Sequence, residues 1–199
     1  MIIISAPYFK LDTNVGFLRI KQWVFRQHEG PISNIWITAF FIHALTSVLA
    51  LLAGFTQFFK TFLHGKVHRY MGLLYIIIIL ALSGPSGFIM GILANGGITS
   101  ILAFTLLAIL WWYFTFSAYV AIRKRDYEKH AKFMYRSYAL TLSALTLRLW
   151  KYSIVNFVYE APPMDLYRVV AWLGWIPNLL VAEILIQKGR HLKMLKRKE

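Results

Sequence analysis

The chain has 199 residues, of which 58% are hydrophobic and 17% aromatic, and its formal net charge is +14. A soluble domain of this length has too little interior to bury so many apolar side chains. The composition therefore indicates an integral membrane protein. The sequence contains no cysteine, which excludes disulfides, iron–sulfur clusters and cysteine nucleophiles.

The first 33 residues are mixed and polar, and we expect them to form an extramembrane amino-terminal arm. Residues 15–25 are expected to form a short helix at the membrane interface. Five later stretches have the roughly 20 apolar residues that a helix needs to cross a bilayer. They are residues 34–59, 70–94, 98–122, 133–157 and 166–187.

We therefore predict an all-α membrane protein, in which residues 34–187 form a bundle of five transmembrane helices. Fourteen of the 22 lysines and arginines lie in the first connection, the third connection and the basic tail over residues 188–199. Five spans place all three of these segments on one face. The positive-inside rule then puts the C-terminus in the cytoplasm and the N-terminus outside.

The distribution of the cations also bears on the partners of the chain. They flank the spans and accompany no recognisable nucleic-acid-binding module, so we predict no nucleic-acid partner. Membrane lipids are the expected partners, and the basic tail is suited to anionic headgroups.

Charged side chains inside lipid are costly and are usually paired or functional. Arg136 on the fourth span and Glu183 on the fifth lie at matching depths, so we predict an ion pair between them. Arg148 lies in the outer half of the fourth span and also needs a partner. The candidates are Glu160, Asp165, backbone carbonyls or an acidic ligand.

Two spans contain residues that interrupt a helix. Pro85 lies in Ser83-Gly84-Pro85-Ser86-Gly87 on the second span, and Pro177 lies in Trp175-Ile176-Pro177-Asn178 on the fifth. Proline has no N–H, so it removes a backbone hydrogen bond, and its ring clashes with the preceding turn. We therefore expect a kink or an unwound turn at each proline. The amides of Gln57 and Asn178 are expected to hydrogen-bond between helices.

His68 and His130 lie at the cytoplasmic mouths of the second and fourth spans, at one depth. We predict that they ligate one metal-centred cofactor, for which haem b is the best candidate. Two neutral imidazoles on neighbouring helices can bind a haem iron from both sides. Arg69 and Lys132 are candidates for pairing with the haem propionates. The alternative is that each histidine hydrogen-bonds a helix end.

His43, within the first span, completes the candidate cofactor-binding set. We expect it to donate to a carbonyl or to Asn178, and we expect a bound cofactor to survive its replacement.

These residues leave several functions open. An electron-transfer cytochrome would need a quinone or a redox partner, because a single axial pair does not cross the bilayer. A small transporter would use the two helix breaks together with Arg148, Asn178 and His43. A metal enzyme acting on lipid would have few carboxylates for binding a metal or for acid–base catalysis, since Glu183 is the only acid within the spans. In a non-catalytic assembly subunit, the polar residues would only fix the packing.

Segments in three parts of the chain resemble a known family in order and spacing. They are Phe41-Ile42-His43, Gly54-Phe55-Thr56-Gln57-Phe58, His68-Arg69-Tyr70-Met71-Gly72, Met134-Tyr135-Arg136-Ser137-Tyr138, Thr146-Leu147-Arg148, Trp175-Ile176-Pro177-Asn178-Leu179 and Ala182-Glu183. The resemblance, over about Phe40–Ile186, is to the bacterial membrane proteins of domain-of-unknown-function family 2306.

That resemblance implies a helical protein of the bacterial cytoplasmic membrane, and longer members carry one more amino-terminal span. It implies no reaction. It also implies a signature polar set, which consists of His43, His68, His130, Arg136, Arg148, Asn178 and Glu183.

Overall fold

The structure, a computed structural model, describes residues 31–59, 65–158 and 162–195, and these are helical with short connections and no strand. Most of the expected amino-terminal arm, including the interfacial helix predicted over residues 15–25, lies outside the described residues. The same is true of the last four residues of the basic tail.

Nine α-helices and one π-helical segment make up the described part of the chain. In chain order they are α1 (Pro31–Thr56), α2 (Lys66–Ile77), the π segment (Ile78–Ser83), α3 (Gly84–Ile92), α4 (Ile98–Arg123), α5 (Tyr127–Thr141), α6 (Ser143–Phe157), α7 (Pro163–Leu173), α8 (Ile176–Gln187) and α9 (Arg190–Leu195).

Four helical stretches of the described residues are long and apolar enough to cross a membrane. They are Asn34–Thr56, Lys66–Ile92, Ile98–Arg123 and Pro163–Gln187. These stretches correspond to the first, second, third and fifth predicted spans. The predicted fourth span is not among them: it contains Arg136, Arg148 and Lys151, and its helix is divided at Leu142.

The interruption predicted around Pro85 is present as the π segment, which ends two residues before that proline. In this segment the N–H of Gly84 donates to the carbonyl of Ile79, five residues back. The next carbonyl, of Leu80, would pair with Pro85, which has no N–H. The indole Nε1 of Trp112 on α4 donates to the Leu80 carbonyl instead, at 3.1 Å. The π register thus lets the helix continue past the proline.

Gly84 has a packing reason to be glycine. A Cβ at this position would lie 2.6 Å from the carbonyl oxygen of Ile79 and 2.8 Å from Cδ1 of Trp112. Any side chain would therefore displace the tryptophan that supplies the missing hydrogen bond.

The bundle is built around α4, which packs most extensively against α5 and α3. Helix α1 packs along α2, the π segment and α3, and α8 packs against α5. The last candidate span, α7 with α8, has a neighbour at each end. Near its start, Arg168 Nε donates to the carbonyl of Gly96 at 2.8 Å. Beyond its end, Nε2 of His191 on α9 lies 3.8 Å from Oε1 of Glu128 on α5.

Five buried polar side chains form a hydrogen-bonded network that joins α2, α4 and α5. The hydroxyl of Tyr75 lies 2.7 Å from Ser137 Oγ and 2.7 Å from Thr141 Oγ1. Trp111 Nε1 donates to Thr141 Oγ1 at 2.9 Å, and Thr115 Oγ1 lies 2.7 Å from Ser137 Oγ. All five residues are buried. Because unpaired polar groups are expensive in a low-dielectric interior, this network favours a single register of the three helices.

Replacing Tyr75 by phenylalanine removes the hydroxyl that bridges α2 to α5. We expect Tyr75→Phe to lower the free energy of unfolding in detergent by about 1 kcal/mol, the usual size of a hydrogen bond between membrane helices. Tyr70→Phe is the matched control, because Tyr70 is 63% exposed and should change stability by less than about 0.5 kcal/mol. Equal thermal shifts for the two variants would contradict a stabilising role for the network.

Candidate functional site

The side chain of Gln57 connects the end of α1 to the start of α2. Gln57 follows the last residue of α1 and is 6% exposed. Its amide nitrogen donates to His68 Nδ1 at 2.9 Å and to the His68 carbonyl at 3.2 Å, and its amide oxygen accepts from the N–H of Gly72 at 3.2 Å. In this orientation the oxygen faces donors and the nitrogen faces acceptors. Because the His68 carbonyl and the Gly72 N–H are four residues apart in α2, one amide contacts both ends of a helical turn.

This contact selects the tautomer of His68. Since Nδ1 accepts a hydrogen bond, the neutral imidazole carries its proton on Nε2. A metal binds the lone pair of a ring nitrogen, and the other nitrogen of a ligating histidine is normally a donor. The hydrogen bonding of His68 is the reverse of that arrangement.

His130 has the opposite hydrogen bonding. It lies in the first turn of α5, and its Nδ1 donates to the carbonyl of Ala118 on α4 at 2.9 Å. The neutral ring therefore has its lone pair on Nε2. Burial lowers the pKa of His130, and the bond to Ala118 opposes this to a smaller extent. Of the two predicted haem ligands, only His130 has the tautomer of a metal ligand.

His43 holds α1 against the interrupted second span. Its Nδ1 donates to the carbonyl of Ser83 at 2.9 Å, and its ring meets Trp111 edge-on with 6.2 Å between centroids. A Cβ at Gly87 would lie 3.0 Å from His43 Cε1, so the glycine makes room for the imidazole. Of the two partners expected for His43, the structure has the carbonyl.

The predicted ion pair between Arg136 and Glu183 is confirmed. Arg136 Nε lies 2.5 Å from Glu183 Oε1, and Nη2 lies 2.9 Å from Oε2, so the contact is bidentate. The guanidinium also lies over the rings of Phe133 and Phe114, 5.6 and 5.9 Å from their centroids. The side chains are 23% and 36% exposed. This pair joins α5 to α8.

Asn178 on α8 connects the break between α7 and α8 to α5 and α6. Its Nδ2 donates to the carbonyl of Ala139 on α5 at 3.1 Å and to Thr146 Oγ1 on α6 at 2.9 Å. Thr146 Oγ1 in turn donates to the carbonyl of Gly174, in the gap between α7 and α8. The break predicted around Pro177 is thus present, and hydrogen bonds to α5 and α6 stabilise it.

The remaining predicted residues are cations. Arg148 Nη1 donates to the carbonyl of Ala144 at 2.6 Å, so one of its predicted partner types, a backbone carbonyl, is present. Lys132 Nζ lies 2.6 Å from Glu128 Oε1, and this contact holds the pKa of the Glu128 carboxyl below its usual range. Arg69 is exposed next to His68.

The polar residues contact the rest of the chain at separate places. His43, His68, His130 and Asn178 each have a different partner, and no three metal-ligating side chains converge within the described ranges. The hydroxyl network and the contact of the Ser83 carbonyl with His43 were not predicted from the sequence. The available signal was the spacing of four residues in the pairs Trp111 with Thr115 and Ser137 with Thr141, which puts polar groups on one helix face.

Taken together, the apolar helices and the polar side chains that connect them define a helical integral membrane protein. The chain belongs to the DUF2306 family of predicted membrane proteins, whose family model matches residues 40–186. This confirms the resemblance seen in the sequence, and the family description names no reaction. No curated protein and no solved structure matches the chain.

Replacing Glu183 tests the contribution of the ion pair. Glu183→Ala leaves the Arg136 guanidinium without its carboxylate, and breaking a fully buried pair in this way costs about 3–5 kcal/mol. Because Glu183 is 36% exposed, we expect a smaller loss of about 1–3 kcal/mol in the free energy of unfolding.

Glu128→Ala is the matched control, since it removes the carboxylate of an exposed pair with Lys132 and should barely change the melting temperature. If Glu183→Ala melts as high as Glu128→Ala in the same detergent, the Arg136–Glu183 pair does not stabilise the bundle.

Proposed function

We propose that the chain is an integral protein of the bacterial cytoplasmic membrane that crosses the bilayer five times. The supporting observation is the position of the last candidate span. It begins beside the second connection, through the bond from Arg168 to Gly96, and ends near the third connection, where His191 approaches Glu128. The stretch α5–α6 leads from the third connection back to the start of that span, so it has to cross as well.

The division at Leu142 does not prevent this crossing. Leu142 keeps right-handed helical angles, its N–H donates to the carbonyl of Tyr138, and its own carbonyl accepts from Leu145 and Thr146. The chain thus continues from α5 into α6 with little change of backbone conformation. With five spans, the fourteen cations of the first connection, the third connection and the tail share one face, and the positive-inside rule makes that face cytoplasmic.

For the function itself, we propose a non-catalytic scaffold or assembly subunit, whose polar set holds the bundle in one arrangement. The observation that supports this proposal is that the signature polar residues hydrogen-bond to, or form ion pairs with, other residues of the same chain. Three of the contacts join separate helices through side chains: Gln57 with His68, Arg136 with Glu183, and Asn178 with Thr146.

The backbone at the helix breaks supports the same function over transport. Transporters bind substrates and ions with backbone groups exposed at interrupted helices. Here the carbonyl of Leu80 accepts from Trp112, and the carbonyl of Gly174 accepts from Thr146 and Asn178. These carbonyls are already engaged within the protein.

A second candidate is a haem b protein that transfers electrons with a quinone or a redox partner. One observation favours it: Nε2 of His130 carries a lone pair, because Nδ1 donates to the carbonyl of Ala118. His68 fits less well, because ligation would require it to give up its bond to Gln57 or to change its tautomer. Bound haem would supply one-electron chemistry, and the chain would contribute the axial nitrogens.

Reporter fusions test the five-span topology. A reporter after Glu199 should be cytoplasmic, and one inserted between Gly96 and Gly97 should be external, because five spans put these points on opposite faces. Crossing by only the four candidate spans would instead put both points on the same face. The two fusions on the same side would therefore exclude the crossing of α5–α6.

An absorption spectrum together with a mutant cycle tests the scaffold. We expect protein expressed with added haem precursor to show no Soret band. His68→Ala and Gln57→Ala should each lower the melting temperature, and the double variant should lose less than the sum, because the two residues share one interaction.

A Soret band would overturn the scaffold proposal if His68→Ala and His130→Ala each abolish it while His43→Ala keeps it. Additive stability losses for His68→Ala and Gln57→Ala would also contradict the contact on which the proposal depends.

A further inference from the structure

The turn between α4 and α5 contains an arginine in a conformation that favours glycine. Arg125 has φ of 60°, and it is the only non-glycine residue in the described part of the chain with a positive φ. Its N–H donates to the carbonyl of Ile122, and the N–H of Asp126 donates to the carbonyl of Ala121, both at 3.0 Å. This is the Schellman ending of a helix, in which glycine is usual because any Cβ is strained. Folding alone therefore does not favour arginine here.

The cations of this turn have no counterion among the residues that the structure describes. Arg123, Lys124 and Arg125 are exposed, and none of them makes a side-chain hydrogen bond or ion pair with the described residues. The two acids that follow in the sequence have other partners. Asp126 Oδ1 accepts from the N–H of Lys129 and caps α5, and Glu128 pairs with Lys132. Three adjacent positive charges are thus exposed, and no acidic side chain of the described residues neutralises them.

The position of the turn indicates what neutralises them. The candidate span of α4 ends at Arg123, so the turn lies at the surface of the bilayer whichever way the chain is oriented. Tyr127, two residues beyond Arg125, is 55% exposed, and tyrosine favours the depth of the lipid headgroups. The helix dipole also favours cations near the C-terminus of α4, but it does not require one at the strained position 125.

We propose that Arg123, Lys124 and Arg125 form a binding site for the headgroup phosphate of an anionic phospholipid. A guanidinium presents paired N–H donors that match the oxygens of a phosphate, and each cation near an anionic membrane surface strengthens binding. This contact gives a physical reason for an arginine at position 125 despite its backbone strain. The site goes beyond the scaffold role and does not depend on the number of spans.

The test separates strain from lipid binding, because one substitution changes the two in opposite directions. Full-length protein is purified in detergent with phosphatidylcholine, and its melting temperature is followed as phosphatidylglycerol is added. Without phosphatidylglycerol, Arg125→Gly should melt about 2 °C higher than the wild type, because glycine relieves the strain. It should need about fivefold more phosphatidylglycerol for half-maximal stabilisation, as expected for the loss of one cation.

Two further variants serve as controls. Arg125→Lys keeps the charge and the Cβ, so it should melt like the wild type and respond to phosphatidylglycerol within about twofold of it. Lys151→Gln removes an exposed cation on α6 and should leave the response to phosphatidylglycerol unchanged.

Three outcomes would overturn the proposal. Arg125→Gly could respond to phosphatidylglycerol like the wild type, or Lys151→Gln could weaken the response equally, which would indicate a non-specific effect of net charge. Inorganic phosphate at the same concentration could stabilise the wild type as much as phosphatidylglycerol, which would indicate a site for free anions rather than for lipid.

Discussion

Inside a bilayer no water is available to hydrogen-bond the backbone, so each unpaired carbonyl costs several kcal/mol. Much of this structure depends on that constraint, because the regular α-helical hydrogen bonding is interrupted near Pro85 and Pro177. At Pro85 the π segment and the indole of Trp112 together satisfy the carbonyls that a regular helix would leave unpaired. Thr146 and Asn178 do the same for Gly174 in the gap between α7 and α8.

Satisfying the backbone in this way also fixes the packing of the helices. Trp112 and Thr146 donate to carbonyls outside their own helices, and Asn178 also contacts Thr146 on α6. These carbonyls are therefore satisfied only when the neighbouring helices are in place. Trp112 joins α4 to the second span, and Asn178 joins α8 to both α5 and α6. The helix breaks therefore increase the specificity of the bundle, in the way that buried polar groups can select one register over others.

The sequence was sufficient to predict features that depend on long averages or on depth alone. The apolar stretches identified the four candidate spans, and matched depth along two spans identified the pair of Arg136 with Glu183. It was not sufficient for contacts that depend on the rotation of each helix. Gln57 was expected to bond between helices, but its partner His68 follows from how α2 is turned toward the end of α1. The π register could not be derived either, because proline requires a local change but does not determine which carbonyl is left over.

The histidines illustrate why depth is a poor guide to chemistry. His68 and His130 resemble an axial pair when only their expected depth along each predicted span is considered. Depth does not reveal which ring nitrogen carries the proton. That depends on a single neighbour: an amide donor for His68, and a carbonyl acceptor for His130. When a donor faces Nδ1, the ring proton is on Nε2. When an acceptor faces Nδ1, the ring proton is on Nδ1 and Nε2 carries a lone pair. The two histidines therefore have different chemical capacities, and the difference originates in the group that each Nδ1 contacts.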